Sequence, residues 1–151
     1  MNPKHHSQQD VYKDEGYKFM GAAFEVYNDR GYGLAEEIYQ ECLEIELELR
    51  QISFQSRAEL RSFYKGRELK KRYIPDLFVF DCLVVELKAV AQLAAEHEAQ
   101  LLNYMRLARQ PIGYLINLAT RTRLNGSGSS FQSFLDERRC EDQRPKSGLN
   151  R

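Results

Sequence analysis

The sequence predicts an α/β domain built on a mixed β-sheet with helices packed against it. Three apolar, strand-like segments follow one another between residues 52 and 88, which favours an antiparallel meander. A helical pattern then leads to a last apolar segment, and a helical connection lets that strand pair in parallel. The length of 151 residues suits one domain with its own core.

Two helices are predicted before the sheet. The first covers residues 11–28 and ends at Asp29-Arg30-Gly31-Tyr32-Gly33, where two glycines permit backbone angles that a helix does not use. The second helix covers residues 34–50. Residues 1–10 are polar and are expected to form a disordered tail.

The strands and a third helix follow in chain order. Lys65-Gly66 is expected to form a turn, and the helix at 94–109 ends before Pro111. The predicted strands cover residues 52–63, 69–80, 83–88 and 112–118. The domain is therefore expected to span residues 11–124, and residues 125–151, which begin with NGSGSS, are expected to form a flexible loop and C-terminal tail.

Composition excludes several classes of protein. The sequence has no run of about 18 apolar residues that would span a membrane, and its first ten residues lack the apolar core of a signal peptide. A cytoplasmic protein without a membrane partner is therefore expected. Three separated cysteines without a Cys-x-x-Cys pair argue against a structural zinc site and fit free thiols.

Charge is unevenly distributed, although the formal net charge is zero. Six glutamates lie between residues 36 and 48, and two glutamates oppose seven basic residues between 57 and 72. The basic set is Arg57, Arg61, Lys65, Arg67, Lys70, Lys71 and Arg72. Such a segment attracts phosphate, but on charge alone a solvated hairpin and a solvated helix face are the favoured interpretation.

The strongest anomaly lies in two predicted core strands. Asp76 follows Pro75 inside an apolar strand, and Glu86 and Lys88 lie two residues apart in another, so that these two point to the same face of the sheet. A buried Glu–Lys pair that only packs is the alternative, but such a pair is costly and adds little net stability. Two carboxylates and a lysine on adjacent core strands are better explained by a metal site.

Glu36 is a second anomaly. The expected solvated face of its helix carries Glu37, Glu41, Glu44 and Glu48. The expected apolar stripe carries Leu34, Ile38, Cys42, Ile45 and Leu49. Glu36 lies apart from the other glutamates, beside the apolar arc and close to Tyr39, where a carboxylate needs a partner. From this helix alone, a rim glutamate paired with a backbone group or an arginine is the favoured interpretation.

A polar stripe on the helix at 94–109 is a third anomaly. His97, Gln100 and Tyr104 fall on one side of this helix. A helix border with hydrogen-bonding side-chain tips is the alternative, and the stripe alone is weak evidence for a site.

Three blocks of sequence together resemble a known family. Pro75-Asp76 followed by Glu86-Leu87-Lys88 is similar to the PD-(D/E)XK motif, and Gly33 to Tyr39 matches Gly-x-x-Glu-x-x-Tyr. The third block, HEAQLLNY, runs from His97 to Tyr104. These blocks resemble the GxxExxY protein family, a bacterial branch of the PD-(D/E)XK nuclease superfamily, from about residue 11 to residue 124.

The resemblance implies a fold and a reaction. The fold would be a restriction-endonuclease-like core, αβββαβ, with an extra N-terminal helix. The reaction would be hydrolysis of phosphodiester bonds in nucleic acid, with DNA as the expected partner and Mg²⁺ or Mn²⁺ as the cofactor. The alternative is a catalytically silent nuclease-fold module that binds nucleic acid or a protein partner. The sequence leaves the oligomeric state open, with a homodimer as one option.

The resemblance also implies roles for residues. The catalytic group would be Asp76, Glu86, Lys88 and Glu36. The metal ligands would be the carboxylates of Asp76, Glu86 and Glu36 and the backbone carbonyl of Leu87, since Mg²⁺ prefers oxygen ligands. Because a lysine is charged at neutral pH, Lys88 is expected to orient the attacking water and stabilise the transition state.

Supporting and substrate-binding roles follow in the same way. Gln100, Tyr104 and Tyr39 would support the site, and His97 would serve as an additional metal ligand. The basic residues between 57 and 72 would bind nucleic acid.

A shared metal ion sets a geometric requirement on the predicted hairpin. With a regular two-residue turn at Asp81-Cys82, Asp76 and Glu86 would point to opposite faces of the sheet. A three-residue loop, Phe80-Asp81-Cys82, would set them opposite each other, and a bulge beside Pro75 would also bring them to one face. The sequence therefore predicts an odd loop or a bulge.

Overall fold

The computed structural model describes residues 12–119 together with the backbone of residues 131–135. The tail predicted at 1–10 and the NGSGSS loop lie outside the described residues. Within the described part of the chain, no helix is long and apolar enough to cross a membrane.

Two helices precede the sheet, as predicted. Helix α1 covers Lys13–Arg30 and α2 covers Glu36–Leu49. The turn between them uses glycines in left-handed conformations, with φ of 71° at Gly31 and 97° at Gly33. These angles explain why the helical pattern stops after residue 30.

Seven strands and a third helix complete the described fold. Helix α3 covers Ala95–Ala108. The strands in chain order are β1 (Phe54–Ser56), β2 (Phe63–Tyr64), β3 (Arg67–Glu68), β4 (Leu77–Val79), β5 (Leu83–Lys88), β6 (Ile112–Asn117) and β7 (Phe131–Leu135). Five of these form the main sheet in the order β1-β4-β5-β6-β7. Strands β5 and β6, which α3 connects in the chain, pair in parallel. The other neighbouring strands of the main sheet pair antiparallel, so the predicted mixed sheet is confirmed.

Strand β7 was not predicted, because residues 125–151 were expected to form a flexible loop and tail. Its backbone pairs antiparallel with β6, from Ile116 opposite Phe131 to Ile112 opposite Leu135. The strand covers the edge that β6 would otherwise expose. A short segment beside a Gly- and Ser-rich stretch gave too little pattern to distinguish it from a loop.

The hairpin between β4 and β5 has the odd loop that a shared metal ion requires. Val79 pairs with Leu83, which leaves the three-residue loop Phe80-Asp81-Cys82. The same register, continued toward the start of β4, sets Asp76 opposite Glu86. Residues directly opposite each other point to the same face of a sheet. The geometric prediction is therefore confirmed.

The two long strands predicted at 52–63 and 69–80 are interrupted. Their ends nearest the sheet form β1 and β4, and their far ends form a separate two-stranded sheet, β2 and β3. The ladder breaks where Pro75 has no amide hydrogen to donate and where Arg57 takes a left-handed φ of 51°.

Residues 57–75, which connect β1 to β4, are called the arm. Leu60 pairs with Tyr73 in an isolated bridge, and the Leu69 N–H donates to the Ser62 carbonyl at 2.9 Å. The arm turns at Lys65-Gly66, as predicted, with positive φ at both residues. It is a β-ribbon that leaves the main sheet beside Asp76.

Helices cover both faces of the sheet. Helices α1 and α2 contribute Phe19, Tyr39 and other side chains to one core cluster, and α3 contributes Leu101 and Met105 to a second. Gly113 in β6 lets α3 lie close, because a Cβ there would be 2.5 Å from the Met105 sulfur. The α/β class is confirmed, and the element order is consistent with a restriction-endonuclease-like core preceded by α1.

The apolar stripe predicted for α2 is wrong. Ile38, Ile45 and Leu49 are exposed, Leu49 to 74%. The buried side chains of α2 are Tyr39, Gln40, Leu43 and Leu47. Both stripes have helical spacing, so periodicity alone did not select the one that packs on the sheet. The side that is buried continues through Gln40 to Glu36.

Candidate functional site

Asp76 and Glu86 are fixed by backbone amides where β4 begins. The Asp76 N–H donates to Glu86 Oε1 at 3.0 Å, and the Leu87 N–H donates to Asp76 Oδ2 at 2.7 Å. Each carboxylate thus accepts a hydrogen bond from a backbone N–H group that finds no carbonyl partner in the interrupted β-ladder. Glu86 is only 3% exposed. The structure therefore brings the two predicted carboxylates together, and it buries one of them almost completely.

Burial raises the pKa of both carboxyl groups. Loss of water, followed by the negative charge of Asp76, raises the pKa of Glu86 to about 8. Burial also raises the pKa of Asp76, against the opposing effect of the Leu87 N–H, and the charge of Glu36 adds to the increase. Two acids with raised pKa values side by side favour a shared proton or a cation between them.

Lys88 connects this pair to α3. Its Nζ lies 3.6 Å from Glu86 Oε2 and donates to Gln100 Oε1 at 3.1 Å. Gln100 Nε2 in turn donates to the Tyr104 hydroxyl at 2.8 Å. The Tyr104 ring packs edge-on against Tyr73, with 6.2 Å between ring centroids. Gln100 and Tyr104 thus lie beside the predicted catalytic group and hold the Lys88 ammonium in place.

The direction of the Leu87 carbonyl follows from the register of β4 and β5. In an antiparallel pair, the N–H and C=O of one residue point to the same neighbouring strand. The Leu87 N–H points to Asp76, so the Leu87 carbonyl also points to that side. The register of β4 and β5 sets Leu87 opposite Pro75, which has no N–H to donate. The carbonyl is therefore left as a third oxygen beside the two carboxylates.

The Gly-x-x-Glu-x-x-Tyr block has two separate functions. The buried Tyr39 hydroxyl donates to the Gly31 carbonyl at 2.7 Å and accepts from the Leu34 N–H at 3.3 Å, which fixes the turn before α2. Half-buried Glu36 begins α2, and its charge raises the pKa of Asp76 and of Glu86. Glu36 is therefore near enough to the pair for its charge to act on it, whereas Tyr39 fixes the turn that precedes Glu36.

Gln40 is a residue at the site that the sequence analysis missed. Its buried side-chain nitrogen lies 3.1 Å from the Asp76 carbonyl, 3.3 Å from Ser56 Oγ and 3.2 Å from Glu44 Oε1. This amide ties α2 to the start of β4. The available signal was the spacing from Glu36, because residues four apart share one side of a helix.

His97 has a different contact from the predicted one. Its Nδ1 accepts from the Ala94 N–H at 3.0 Å and caps the first turn of α3. Within the described residues it does not join Asp76 and Glu86 in a metal-holding group. The proposed role as an additional ligand has no support from this contact.

The seven basic residues of the arm fall into distinct environments. Arg61 and Arg72 both hydrogen-bond Glu68, and this pairing, with Arg61 first, lowers the pKa of Glu68 to about 2. Arg57 lies near enough to Asp76 to oppose the increase in its pKa. The remaining four are exposed, namely Lys65, Arg67, Lys70 and Lys71.

Comparison with protein families decides the classification. A model of the PD-(D/E)XK nuclease superfamily matches residues 13–127, a span that contains all three helices and the strands β1 to β6. The chain belongs to the PD-(D/E)XK nuclease superfamily. The match does not test membership of the GxxExxY family within it. No curated protein and no solved structure matches the chain.

Nucleases of the PD-(D/E)XK superfamily typically use Mg²⁺ or Mn²⁺. Among residues 12–119, no three His, Cys, Asp or Glu side chains are grouped closely enough to hold an ion. The donor chemistry nevertheless fits Mg²⁺, which keeps several waters and takes one or two carboxylates. The hydrogen bonds described above use one oxygen each of Asp76 and Glu86. Their second oxygens and the Leu87 carbonyl form a suitable oxygen set.

The raised pKa of Glu86 predicts how stability depends on pH without metal. Between the unfolded pKa, about 4.3, and the folded value, about 8, the folded state binds more protons, so the free energy of unfolding falls as pH rises. Glu86→Gln removes this ionisation. The variant should gain about 1–3 kcal/mol relative to the parent between pH 5 and pH 8. Urea unfolding in EDTA across this range measures the difference, and parallel pH profiles for the two proteins would contradict it.

The contacts of Gln40 predict a loss of stability. Gln40→Ala removes a buried amide that hydrogen-bonds the Asp76 carbonyl and Ser56 Oγ, and leaves the Asp76 carbonyl with the Arg57 N–H alone, which should cost about 1–3 kcal/mol. Gln55→Ala, at an exposed glutamine in β1, is the matched control and should cost less than about 0.5 kcal/mol. Denaturant unfolding compares the two variants, and equal losses would show that the Gln40 contacts do not stabilise the fold.

Proposed function

We propose that this protein is a Mg²⁺- or Mn²⁺-dependent nuclease that hydrolyses phosphodiester bonds of nucleic acid, with DNA as the expected substrate. The observation that carries the proposal is the adjacent pair of carboxyl groups with raised pKa values, half-buried Asp76 and buried Glu86, beside the Lys88 ammonium. Membership of a superfamily whose members are generally nucleases supports the same activity. A cytoplasmic location belongs to the proposal.

The oxygen set described above would hold the ion. Asp76 and Glu86 would each give one carboxylate oxygen, the Leu87 backbone would give its carbonyl, and Glu36 would reach the ion through a water. When bound, the ion supplies a Lewis acid at the phosphoryl oxygen and lowers the pKa of a bound water. A nearby cation also favours the ionised form of both carboxylates at neutral pH, which their burial alone opposes.

Lys88 is suited to act on the attacking water and on the phosphate. Its ammonium has one hydrogen bond to Gln100 and a close approach to Glu86, so its direction is fixed by two elements of the fold. A preorganised cation of this kind stabilises charge that develops in the transition state. We assign Lys88 to this role, and we assign Gln100 and Tyr104 to positioning Lys88.

A catalytically silent module that binds nucleic acid or a protein partner is the second candidate. The Glu86–Lys88 ion pair favours it, since the pair gives Glu86 a partner without any metal. Two adjacent acids with raised pKa values argue for the nuclease, because a binding surface gains nothing from burying them. The two candidates differ in whether divalent metal produces cleavage.

Cleavage by purified variants tests the catalytic residues. Asp76→Asn and Lys88→Ala should each reduce Mg²⁺- or Mn²⁺-dependent cleavage by at least about 100-fold, because the first weakens the ion site and the second removes transition-state stabilisation. Labelled single-stranded and duplex DNA, each separated on denaturing gels after incubation, report the rate.

Asp81→Asn is the control for these variants. Asp81 is exposed in the loop of the same hairpin, and its left-handed φ of 57° suits asparagine. This variant should cleave at the parent rate. Parent-like cleavage by Asp76→Asn would remove the proposed site, and no cleavage by the parent with either metal would favour the silent module.

Thermal unfolding tests metal binding without any substrate. An ion that binds only the folded state at about 100 times its Kd adds about 2.7 kcal/mol, which corresponds to roughly 5–11 °C for a domain of this size. Millimolar Mg²⁺ or Mn²⁺ should therefore raise the Tm of the parent and of Asp81→Asn, but not of Asp76→Asn. An equal change in all three proteins would indicate binding elsewhere.

A further inference from the structure

The arm concentrates the positive charge of the molecule. Between residues 57 and 72, seven basic residues and two glutamates give a net charge of +5. Because the whole chain is formally neutral, the rest of it carries −5. A polyanion is therefore attracted to the arm and repelled by the glutamates on the outer side of α2.

The cations of the arm divide into a paired group and an unpaired group. Arg61 and Arg72 are bound to Glu68, which connects the two sides of the ribbon. Arg57 lies at the start of the arm beside Asp76. The other four cations are exposed and form no ion pair with an acidic side chain in the described part of the chain. They are Lys65, Arg67, Lys70 and Lys71. These four are the ones available to phosphates.

Tyr64 gives the tip of the arm an exposed aromatic ring. It is 64% exposed, and Lys65 Nζ lies 5.5 Å from its ring centroid. Arg67 lies directly opposite Tyr64 in the β2–β3 register, so both point to the same face of the ribbon. The neighbouring Phe63 points to the other face, where the Arg61 guanidinium lies over its ring. Both faces of the tip therefore present a ring beside a cation, since Phe63 is 59% exposed, and Tyr64 is the ring that has a cation from each side of the turn, Lys65 and Arg67.

The base of the arm lies beside the carboxylates. Leu60 and Tyr73, which pair at this base, pack against the cluster under α3. Lys88 contacts α3 on this same side of the sheet. The arm begins at the site itself, where the Arg57 N–H donates to the Asp76 carbonyl at 3.0 Å. At about 3.3 Å per residue, Tyr64 lies no more than roughly 23 Å along the strand from Arg57.

We propose that the arm binds single-stranded nucleic acid, with Tyr64 stacked on an unpaired base and the unpaired cations of the arm along the backbone. In a duplex, the bases stack on one another and their faces are closed to an outside ring. An exposed ring beside cations is the arrangement that holds unpaired bases in sequence-tolerant binding. The inference rests on the proposed function, since it names the form of nucleic acid that the carboxylate site receives.

Fluorescence anisotropy in EDTA tests this inference without any cleavage. The probes are labelled oligothymidine of about 20 nucleotides and a blunt duplex of the same length. The parent should bind the single strand more tightly than the duplex. Tyr64→Ala should weaken single-strand binding about tenfold and change duplex binding less than about twofold, whereas Tyr64→Phe should bind as the parent does.

Two further variants separate stacking from charge. Tyr17→Ala removes a tyrosine that is 82% exposed on α1, away from the arm, and should leave binding of both probes unchanged. Lys71→Ala should weaken the binding of both probes by the same factor. It should also reduce the slope of log K against log salt concentration by about 1, the value expected for one lost phosphate contact. Circular dichroism should show the parent spectrum for each variant, because all three substituted side chains are exposed.

The inference is overturned if Tyr64→Ala binds the single strand as the parent does, or if it loses affinity for both probes equally. It is also overturned if neither probe binds. None of these results depends on cleavage. A nuclease without a stacking arm would cleave nucleic acid but show no effect of Tyr64→Ala on binding. A stacking arm without nuclease activity would show the effect of Tyr64→Ala but no cleavage.

Discussion

The antiparallel register between β4 and β5 is the constraint on which the candidate site depends. A slip of one residue would turn Asp76 to the opposite face of the sheet, away from Glu86 and Lys88. The loop opposes that slip, because the Cys82 N–H donates to the Val79 carbonyl at 3.2 Å. Phe80 and Asp81 adopt left-handed φ angles, which are uncommon without glycine and persist only where the surroundings impose them. Here the two buried strands that the loop joins impose them.

The fold tolerates a local conflict to keep the carboxylates together. Burying two acids side by side is unfavourable, and the raised pKa values of Asp76 and Glu86 express that cost. Part of it is offset by amide hydrogen bonds to each carboxylate and by the approach of Lys88. The amide of Gln40 then holds the Asp76 backbone from the other layer of the domain. Such conflicts are concentrated where a fold serves chemistry rather than stability.

Periodicity and spacing were sufficient for most of the fold. The order of helices and strands and the turn at Lys65-Gly66 followed from the sequence, because β5 and the glycine turns have strong local patterns. The odd hairpin loop was one of two geometries, the other being a bulge, that a metal ion shared by Asp76 and Glu86 required. The buried side of α2 did not follow, since two apolar stripes compete and only the sheet decides between them. The same error concealed Gln40, whose partners are 16 and 36 residues away along the chain. Strand β7 was missed because its pairing with β6 is long-range as well.

One break in the β-ladder accounts for both the site and the arm. Pro75 cannot donate to β5, which leaves the Leu87 carbonyl without a backbone donor on that side, while the Leu87 N–H binds the side chain of Asp76. Because the ladder cannot continue through Pro75, the chain on its N-terminal side leaves the sheet, and the arm begins there. The oxygen atoms of the candidate metal site and the arm are therefore adjacent because of one residue, Pro75. A proline in a strand is ordinarily found at the edge of a sheet, but here it marks the point in the chain where the arm ends and the buried strand β4 begins.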